Sequence, residues 1–233
     1  MKFLITNDDG IDAPGIAALA VAASEFGEVV IAAPIDHLSG CSHTTTTGEG
    51  IRIDDRGENR FAVHGTPADC ARLGIWTLAR DFDWILSGVN SGGNLGADAY
   101  YSGTIAAVRE ACLHGRQGIA FSMFRRQAKP HNWDNARRWT VEVLRELLAT
   151  PLTLRTFWNV NLPCLDAGTP EPKRVRCVLD PNPLTLAFVP EGDERERTLR
   201  SAGDYFTRPR IPGGDVAVCF GGDISMSVLS LYS

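Results

Sequence analysis

The sequence lacks the features that mark secreted and membrane proteins. No apolar run approaches the ~18 residues of a membrane span. Lys2 is followed by only three apolar residues before the polar Thr6-Asn7-Asp8-Asp9, so we expect no signal peptide. The six cysteines form no C-x-x-C pair and lack the dense spacing of a disulfide scaffold. We therefore expect reduced thiols in a soluble, cytoplasmic protein with no membrane partner.

Lysine is scarce as well, since the 23 basic residues include lysine only at positions 2, 129 and 173. The formal net charge is −5, which argues against a broad basic face, so we expect no nucleic-acid partner. A length of 233 residues suits one large α/β domain, or a domain with a smaller appendage. The 44% apolar and 22% charged residues are typical of a globular protein.

Strand-like and helix-like segments alternate over residues 1–155. "GTPAD" opens one helix, with Thr66 as N-cap and Pro67 as its first residue. Alternation of this kind predicts right-handed βαβ crossovers and a mainly parallel, Rossmann-like sheet flanked by helices. The predicted strands are 2–6, 28–33, 51–53, 60–64, 83–87 and 118–122, and the other predicted helices are 15–26, 104–114 and 133–148.

The pattern changes in residues 156–233. Apolar runs of β type are separated there by segments rich in proline and charge, and the charged segment 190–200 reads as a solvated loop. We expect a smaller β-rich segment that completes the sheet and projects as an arm or hairpin. The predicted strands of this segment are 157–162, 175–179, 216–220 and 224–229.

The first strand ends at two adjacent carboxylates, Asp8 and Asp9, in "TNDDG". Asp-Gly is a common turn signal, so an acidic turn is one interpretation. A shared cation is the other, because like charges side by side repel. The loops that follow the neighbouring strands help to distinguish an acidic turn from a cation site.

Ligands of open parallel sheets bind beyond the carboxyl ends of the strands. Three polar loops leave this edge: Asn7-Asp8-Asp9, the segment from Ser39 through Gly40 and Ser42 to His43, and the glycine-rich "SGVNSGGNLGADAYYSGT" that contains Asn90 and Asn94. The fold should bring Asp8, Asp9, Ser39 and Asn90 together. These side chains offer oxygen, which suits Mg²⁺, Mn²⁺ or Ca²⁺ and not structural zinc.

The glycine-rich loop runs into a predicted helix, which Ser102 or Thr104 can cap. The free N–H groups at such a helix end bind anions, phosphate above all, and we expect the Thr104 hydroxyl to face the phosphate. The loop is neither a G-x-G-x-x-G turn after the first strand nor a P-loop with its lysine. Metal-binding oxygens beside a phosphate cradle point to phosphoryl hydrolysis. In the alternative interpretation these residues bind no ligand: Ser39 and Asn90 are turn residues, and Ser102 and Thr104 are helix caps.

Five ordered blocks, "TNDDGIDAPG", "SGCSH", "GTPADC", "SGVNSGGNLG" and "YSGT", resemble the survival protein SurE family of metal-dependent 5′/3′-nucleotidases. "NVNLP" and "GGDISMSVL" resemble later family blocks, whereas residues 180–212 match poorly. The resemblance implies one divalent metal per subunit, Mg²⁺ or Mn²⁺, bound by Asp8, Asp9, Ser39 and Asn90. It further implies a Rossmann-like core, a hairpin arm exchanged within a homodimer or homotetramer, and activity on nucleoside monophosphates and short polyphosphate.

The expected site divides into catalytic and phosphate-binding residues. We expect Asp8, Asp9 and Asn90 to form the catalytic centre. His43 is a candidate for the group that transfers a proton to the leaving group. The expected phosphate-binding residues are Asn7, Gly40, Ser42, Asn94, Ser102, Gly103 and Thr104.

Two functions other than nucleotide hydrolysis are alternative interpretations of the sequence. A signalling receiver also carries an acidic pair after its first strand, but it needs a phospho-accepting Asp where this chain has Ser87-Gly88-Val89-Asn90. A nucleotide- or phosphate-binding protein that has lost catalysis is compatible with the sequence. Phosphate release with and without EDTA separates it from the enzyme.

Overall fold

The computed structural model describes residues 1–126, 129–166, 168–192 and 198–232. The strands in these residues are β1 (Lys2–Thr6), β2 (Glu28–Pro34), β3 (Ile53–Asp55), β4 (Arg60–Val63), β5 (Trp84–Ser91), β6 (Gln117–Met123), β7 (Thr156–Leu162), β8 (Arg174–Arg176), β9 (Phe188–Glu191), β10 (Thr198–Ser201) and β11 (Ile224–Ser230). The α-helices are α1 (Pro14–Ser24), α2 (Pro67–Leu73), α3 (Asp98–Tyr101), α4 (Gly103–Leu113), α5 (Trp133–Leu147) and α6 (Asp215–Phe220).

Nine of the described strands form one sheet in the order β3-β4-β2-β1-β5-β6-β7-β11-β8. Strands β4, β2, β1, β5, β6 and β7 run parallel, while β3 and β11 are antiparallel to β4 and β7 respectively. The mainly parallel, helix-flanked sheet predicted from the alternating pattern is therefore confirmed.

Helices cover both faces of the sheet centre, which explains why β1 is apolar without alternation. Phe3 and Ile5 lie in a core with residues of α1 and α5, and Leu4 between them lies in a second core with residues of α2 and α4. Successive strand side chains point to opposite faces, so a strand buried on both sides reads as a continuous apolar run. No helix in the described ranges is long and apolar enough to cross a membrane.

Helix α2 begins as predicted, with Thr66 as N-cap and Pro67 in its first turn. Thr66 Oγ1 accepts from the Asp69 N–H, and the Asp69 carboxylate accepts from the Thr66 N–H, which is a capping box. Asp69 also accepts from the backbone and hydroxyl of Thr46. Burial alone would raise the pKa of Asp69, but these hydrogen bonds outweigh it and the pKa is lowered. The polar loop after β2 is thereby attached to α2.

Residues after 156 extend the sheet and add a small hairpin. β7 pairs with β6, β11 with β7, and β8 with β11. β9 and β10 form a separate antiparallel pair with exposed side chains. The ends of the predicted charged loop thus lie in strands, and its residues 193–197 lie outside the described residues.

The strand predicted at 216–220 is wrong, because this segment is helix α6. Gly214 is its N-cap, Asp215 occupies the first turn and Gly221 follows its end. Val216 and Cys219, three positions apart, are buried on one face of the helix. A short apolar run does not distinguish helix from strand, and the flanking glycines are the signal that could have corrected the prediction.

Candidate active site

The structure brings the polar loops together around Asp8 and Asp9 at the carboxyl edge of the sheet. The Leu38 N–H donates to the Asp8 carbonyl over 2.8 Å, which places the loop after β2 beside the pair. The Ser91 N–H at the end of β5 donates to Asp9 Oδ2 over 2.9 Å. On the other side, Thr104 Oγ1 at the start of α4 donates to Asp8 Oδ1 over 2.6 Å. Two strand-end loops and one helix N-terminus therefore contact the two acids.

Asp8 is a buried carboxylate with 4% of its surface exposed. Burial raises its pKa to about 6, with the negative charge of Asp9 adding to the rise and the Thr104 hydrogen bond opposing it. Among the described side chains, only Thr104 hydrogen bonds to it. Negative charge in this place needs compensation, which a cation bound there would supply.

Asp9 occupies the opposite side of the pair. Besides Ser91, its partner is His37, whose Nδ1 lies 3.4 Å from Asp9 Oδ1. The Asp9 side chain is 10% exposed and that of His37 is 62% exposed, so this carboxylate lies at the solvent border of the site. His37 and Ser91 were not among the predicted site residues. Their adjacency to Ser39 and Asn90 in sequence is the signal that could have found them.

The start of α4 is packed closely against Asp8 because residue 103 is glycine. A Cβ at Gly103 would lie 2.8 Å from Cys41 Sγ and 3.0 Å from Asp8 Oδ2. Ser102 is the N-cap, with its Oγ accepting from the Ile105 N–H over 3.0 Å. The Thr104 hydroxyl, which we expected to face the phosphate, donates to Asp8 in this structure, and its contact with a phosphate stays a prediction. Gly103 lets the first turn of α4 approach Asp8 closely enough for this hydrogen bond.

Asn90 and Ser39 supply the other oxygens of the predicted metal shell. Asn90 is 9% exposed, and its Nδ2 donates to the Gly92 carbonyl over 2.9 Å, so the oxygen of the amide is directed elsewhere. Ser39 is exposed in the turn after β2, where Gly40 has a φ of +77° that favours glycine. Ser39 and Gly40 thus lie on the open side of the site.

Asn7 and Asn94 hold the loops in place. The Asn7 Nδ2 donates to the Gly10 carbonyl over 2.8 Å and fixes the turn after β1, and its buried Oδ1 has no partner among the described residues. The Asn94 Nδ2 donates to Ser122 Oγ, and its backbone carbonyl accepts from the side chains of Asn159 and Asn161. These contacts favour a supporting role for Asn94 under the glycine-rich loop.

Ser42 and His43 face α3 and α4. Ser42 Oγ donates to the Tyr100 carbonyl over 3.1 Å. His43 Nε2 lies 2.9 Å from Glu110 Oε2 in the middle of α4. The pKa of Glu110 is lowered, chiefly by its hydrogen bond with His43. One ring nitrogen of His43 is therefore engaged with Glu110, which gives no support to the guess that His43 handles the leaving-group proton.

The C-terminal segment holds the far end of the glycine-rich loop, which the sequence did not indicate. Arg208 is buried and donates to Asp98 Oδ2 over 2.8 Å and to the Leu95 carbonyl over 2.9 Å. Asp215 accepts from the Gly96 N–H over 2.8 Å. These two side chains fix the segment that leads from Asn94 into α3.

The donor set fits a hard divalent cation. Asp8, Asp9, Asn90 and Ser39 offer carboxylate, amide and hydroxyl oxygens, whereas the described residues contain no group of three or more His, Cys, Asp or Glu side chains that could hold a metal. Oxygen donors of these kinds are the ligands that Mg²⁺ and Mn²⁺ prefer.

Comparison with protein families matches residues 3–179 to the family model described as "Survival protein SurE". The chain belongs to the survival protein SurE family. The match spans β1 to the segment after β8 and includes every predicted site residue.

Relatives of this SurE family member align along its whole length. A protein of Nostoc sp. with a provisional 5′-nucleotidase name is 48% identical over 98% of this chain and 99% of its own. The protein named 5′-nucleotidase SurE of Citrifermentans bemidjiense is 37% identical over 99% of this chain and 93% of its own. The crystal structure of SurE from Aquifex aeolicus, 31% identical, superimposes with a TM-score of 0.89 over 99% of this chain and 94% of that one.

Proposed function

We propose that this SurE family member is a divalent-metal-dependent phosphomonoesterase that hydrolyses nucleoside monophosphates to nucleoside and phosphate. The observation that carries the proposal is the pair Asp8 and Asp9, one buried and one at the solvent border, beside the N-terminus of α4. The 5′-nucleotidase names of relatives at 37–48% identity over nearly the whole chain support the substrate class.

One divalent cation, Mg²⁺ or Mn²⁺, would be held by oxygens of Asp8, Asp9, Ser39 and Asn90. It would act as a Lewis acid on a phosphate oxygen and lower the pKa of water. Thr104 orients the Asp8 carboxylate through its hydroxyl, and the Ser91 N–H orients Asp9. These two donors, one hydroxyl and one backbone N–H, would thus fix the ligand oxygens before the substrate arrives.

The phosphate would lie against the free N–H groups at the start of α4. Gly103 permits close approach between this helix end and Asp8, and the partial positive charge of the N-terminus favours an anion. The backbone from Ser102 to Thr104 is therefore the proposed cradle. Gly40 and Ser42 would border it, and Asn7 and Asn94 would support it from below. A phosphate held there stands beside the carboxylates that bind the cation.

We include 3′-nucleotides and short polyphosphate among the substrates. Residues 1–155 would form the catalytic core, while residues 156–233 complete the sheet and supply an oligomerisation arm, with the β9–β10 hairpin as its candidate. The exposed edges of that hairpin could be covered by another copy in a homodimer or homotetramer. Cysteines without disulfide bonds support a cytoplasmic location.

A phosphate-release assay tests the proposed function. Purified protein is treated with EDTA, dialysed, and assayed with Mg²⁺ or Mn²⁺ on 5′- and 3′-nucleoside monophosphates, sugar phosphates and tripolyphosphate. We expect metal-dependent release from several nucleoside monophosphates. Nucleotide binding without phosphate release under any of these metal conditions would favour the non-catalytic binding protein instead.

A further inference from the structure

A cavity of about 430 Å³ opens directly beside Asp9, and its lining includes neither Asp8 nor any residue of α4. Its walls are the turn that joins β1 to α1, Ile35 and His37 after β2, Ser91 at the end of β5, and Trp133 at the start of α5. A volume of this size is within the range of small-molecule sites, roughly 300–1,000 Å³. The proposed phosphate cradle does not use this space.

Trp133 forms the aromatic wall of the cavity. The ring packs over α1 where residue 15 is glycine, because a Cβ at Gly15 would lie 3.1 Å from Trp133 Cζ3. On another side the ring of His131 lies 5.0 Å from it, and His131 Nε2 is 3.0 Å from Ser91 Oγ. Trp133 is half-buried, so its position is fixed while part of its surface remains free. Such a ring can bind a planar partner without first being ordered.

The charges around the cavity select against a second anionic group. The lining includes the acids Asp9 and Asp12. The Arg60 guanidinium contacts the Asp12 carboxylate and the Ile11 carbonyl, so its charge is already paired. His37 adjoins Asp9. A neutral, planar group is therefore preferred here over a second phosphate. A second cavity, lined in part by Phe206 and Phe220, differs in charge because its lining includes arginines.

We propose that the cavity beside Asp9 binds the nucleoside part of the substrate, with the base against Trp133, so that Trp133 is a specificity-determining residue. The inference rests on the proposed nucleotidase function, since it assigns the leaving group to a cavity that shares Asp9 with the proposed metal site. Recognition by stacking tolerates every base, because each has a π-face. The enzyme should then prefer nucleotides to sugar phosphates without strong discrimination among bases.

The test compares Trp133→Leu and Trp133→Phe with the control Trp76→Leu, which alters a tryptophan that is 75% exposed and remote from the cavity. The ratio of kcat/KM for 5′-AMP to kcat/KM for ribose 5-phosphate is measured for each. Stacking of one base on an aromatic ring corresponds to roughly a tenfold to hundredfold effect. We therefore expect the ratio to fall at least about tenfold in Trp133→Leu, much less in Trp133→Phe, and not in Trp76→Leu.

Binding of adenosine in EDTA, measured by equilibrium dialysis, is a second readout that needs no catalysis. Adenosine binding that is weakened in Trp133→Leu and retained in Trp133→Phe and Trp76→Leu supports the proposal. An unchanged ratio, equal losses on both substrates, or unchanged adenosine binding in Trp133→Leu overturns it. If the wild type releases no phosphate from any substrate, the proposed nucleotidase function fails. The adenosine measurement then still decides whether the cavity binds a nucleoside.

Discussion

Thr104 Oγ1 donates a 2.6 Å hydrogen bond to Asp8 Oδ1, so the first turn of α4 orients an acid at the end of β1. The helix N-terminus proposed for the phosphate and the carboxylate proposed for the cation are thus joined by one hydroxyl. Removal of that hydroxyl should disturb metal binding as well as catalysis, because Asp8 loses its fixed orientation.

Thr104→Val keeps the shape of the side chain and removes the hydroxyl. The loss of a hydrogen bond to a charged group amounts to about 1.5–3 kcal/mol. We expect kcat/KM on nucleoside monophosphates to fall by roughly tenfold to a hundredfold, and Mn²⁺ affinity measured by calorimetry to weaken. Thr104→Ser, which restores a hydroxyl, should recover most of both. Wild-type metal affinity in Thr104→Val would contradict this link between α4 and Asp8.

Gly103→Ala tests the close contact between α4 and Asp8. The added methyl meets Cys41 Sγ at 2.8 Å and Asp8 Oδ2 at 3.0 Å, so either the helix or the acid must move. We expect kcat/KM to fall at least about tenfold and stability to fall by about 1–3 kcal/mol, as overpacking predicts. Gly50→Ala is the matched control, because a Cβ there meets nothing within 4 Å. Equal kinetics in the two variants would refute the close-packing explanation.

Glu110 gives a pH-dependent contribution to stability. Its pKa is lowered in the folded state, mainly by the hydrogen bond with His43. A lowered carboxylate pKa stabilises the fold above the unfolded pKa, about 4.3 for Glu, and this contribution is lost as pH falls through the folded value. Urea unfolding at pH 7 should therefore show Glu110→Gln to be about 1–3 kcal/mol less stable than wild type.

At a pH below the folded pKa of Glu110, the difference between wild type and Glu110→Gln should shrink, because the carboxyl is then neutral in both states. Glu142→Gln on the outer surface of α5 is the control, and it should change the unfolding free energy by less than about 0.5 kcal/mol. A difference between wild type and Glu110→Gln that stays constant with pH would show that charge on Glu110 is not the cause.

Arg208→Met tests the attachment of the C-terminal segment to the glycine-rich loop. The change leaves Asp98 largely buried without its guanidinium partner and removes the bond to the Leu95 carbonyl. Breaking a buried pair in this way costs about 3–5 kcal/mol of unfolding free energy. Adding Asp98→Asn should recover part of the loss, whereas the exposed Arg137→Met should be neutral. No recovery in the double variant would indicate that the ion pair is not the source of the loss.

Local signals in the sequence were sufficient for the mainly parallel sheet and for the proximity of the loops that follow β1 and β5. Thr66 and Pro67 mark a helix start by their own chemistry, and the apolar run 2–6 reads as a strand buried on both faces. Parallel strands share one carboxyl edge, so Asp8 and Asn90 could be placed near each other without coordinates.

The features that the sequence did not indicate depend on contacts between distant residues. Arg208 and Asp98 are 110 residues apart, and nothing near either residue signals the pair. The Thr104 hydroxyl could contact phosphate or a carboxylate, and the sequence does not show that α4 packs closely enough on Asp8 for the observed hydrogen bond. The sequence around Trp133 indicates only the start of a helix. Its position beside the cavity at Asp9 could be seen only in the tertiary structure.

The most direct test is phosphate release from 5′-AMP by the wild type and Asp8→Asn, each after EDTA treatment and again with Mn²⁺, with melting temperatures recorded in parallel. We predict no release in EDTA, release by the wild type in Mn²⁺, and a loss of at least about a thousandfold, some 4 kcal/mol, in Asp8→Asn. Mn²⁺ should raise the melting temperature of the wild type only. Metal-free Asp8→Asn should be at least as stable as metal-free wild type, because burial disfavours the Asp8 charge. Full activity in EDTA, or an Asp8→Asn protein as active as the wild type, would contradict a metal centre at Asp8 and Asp9.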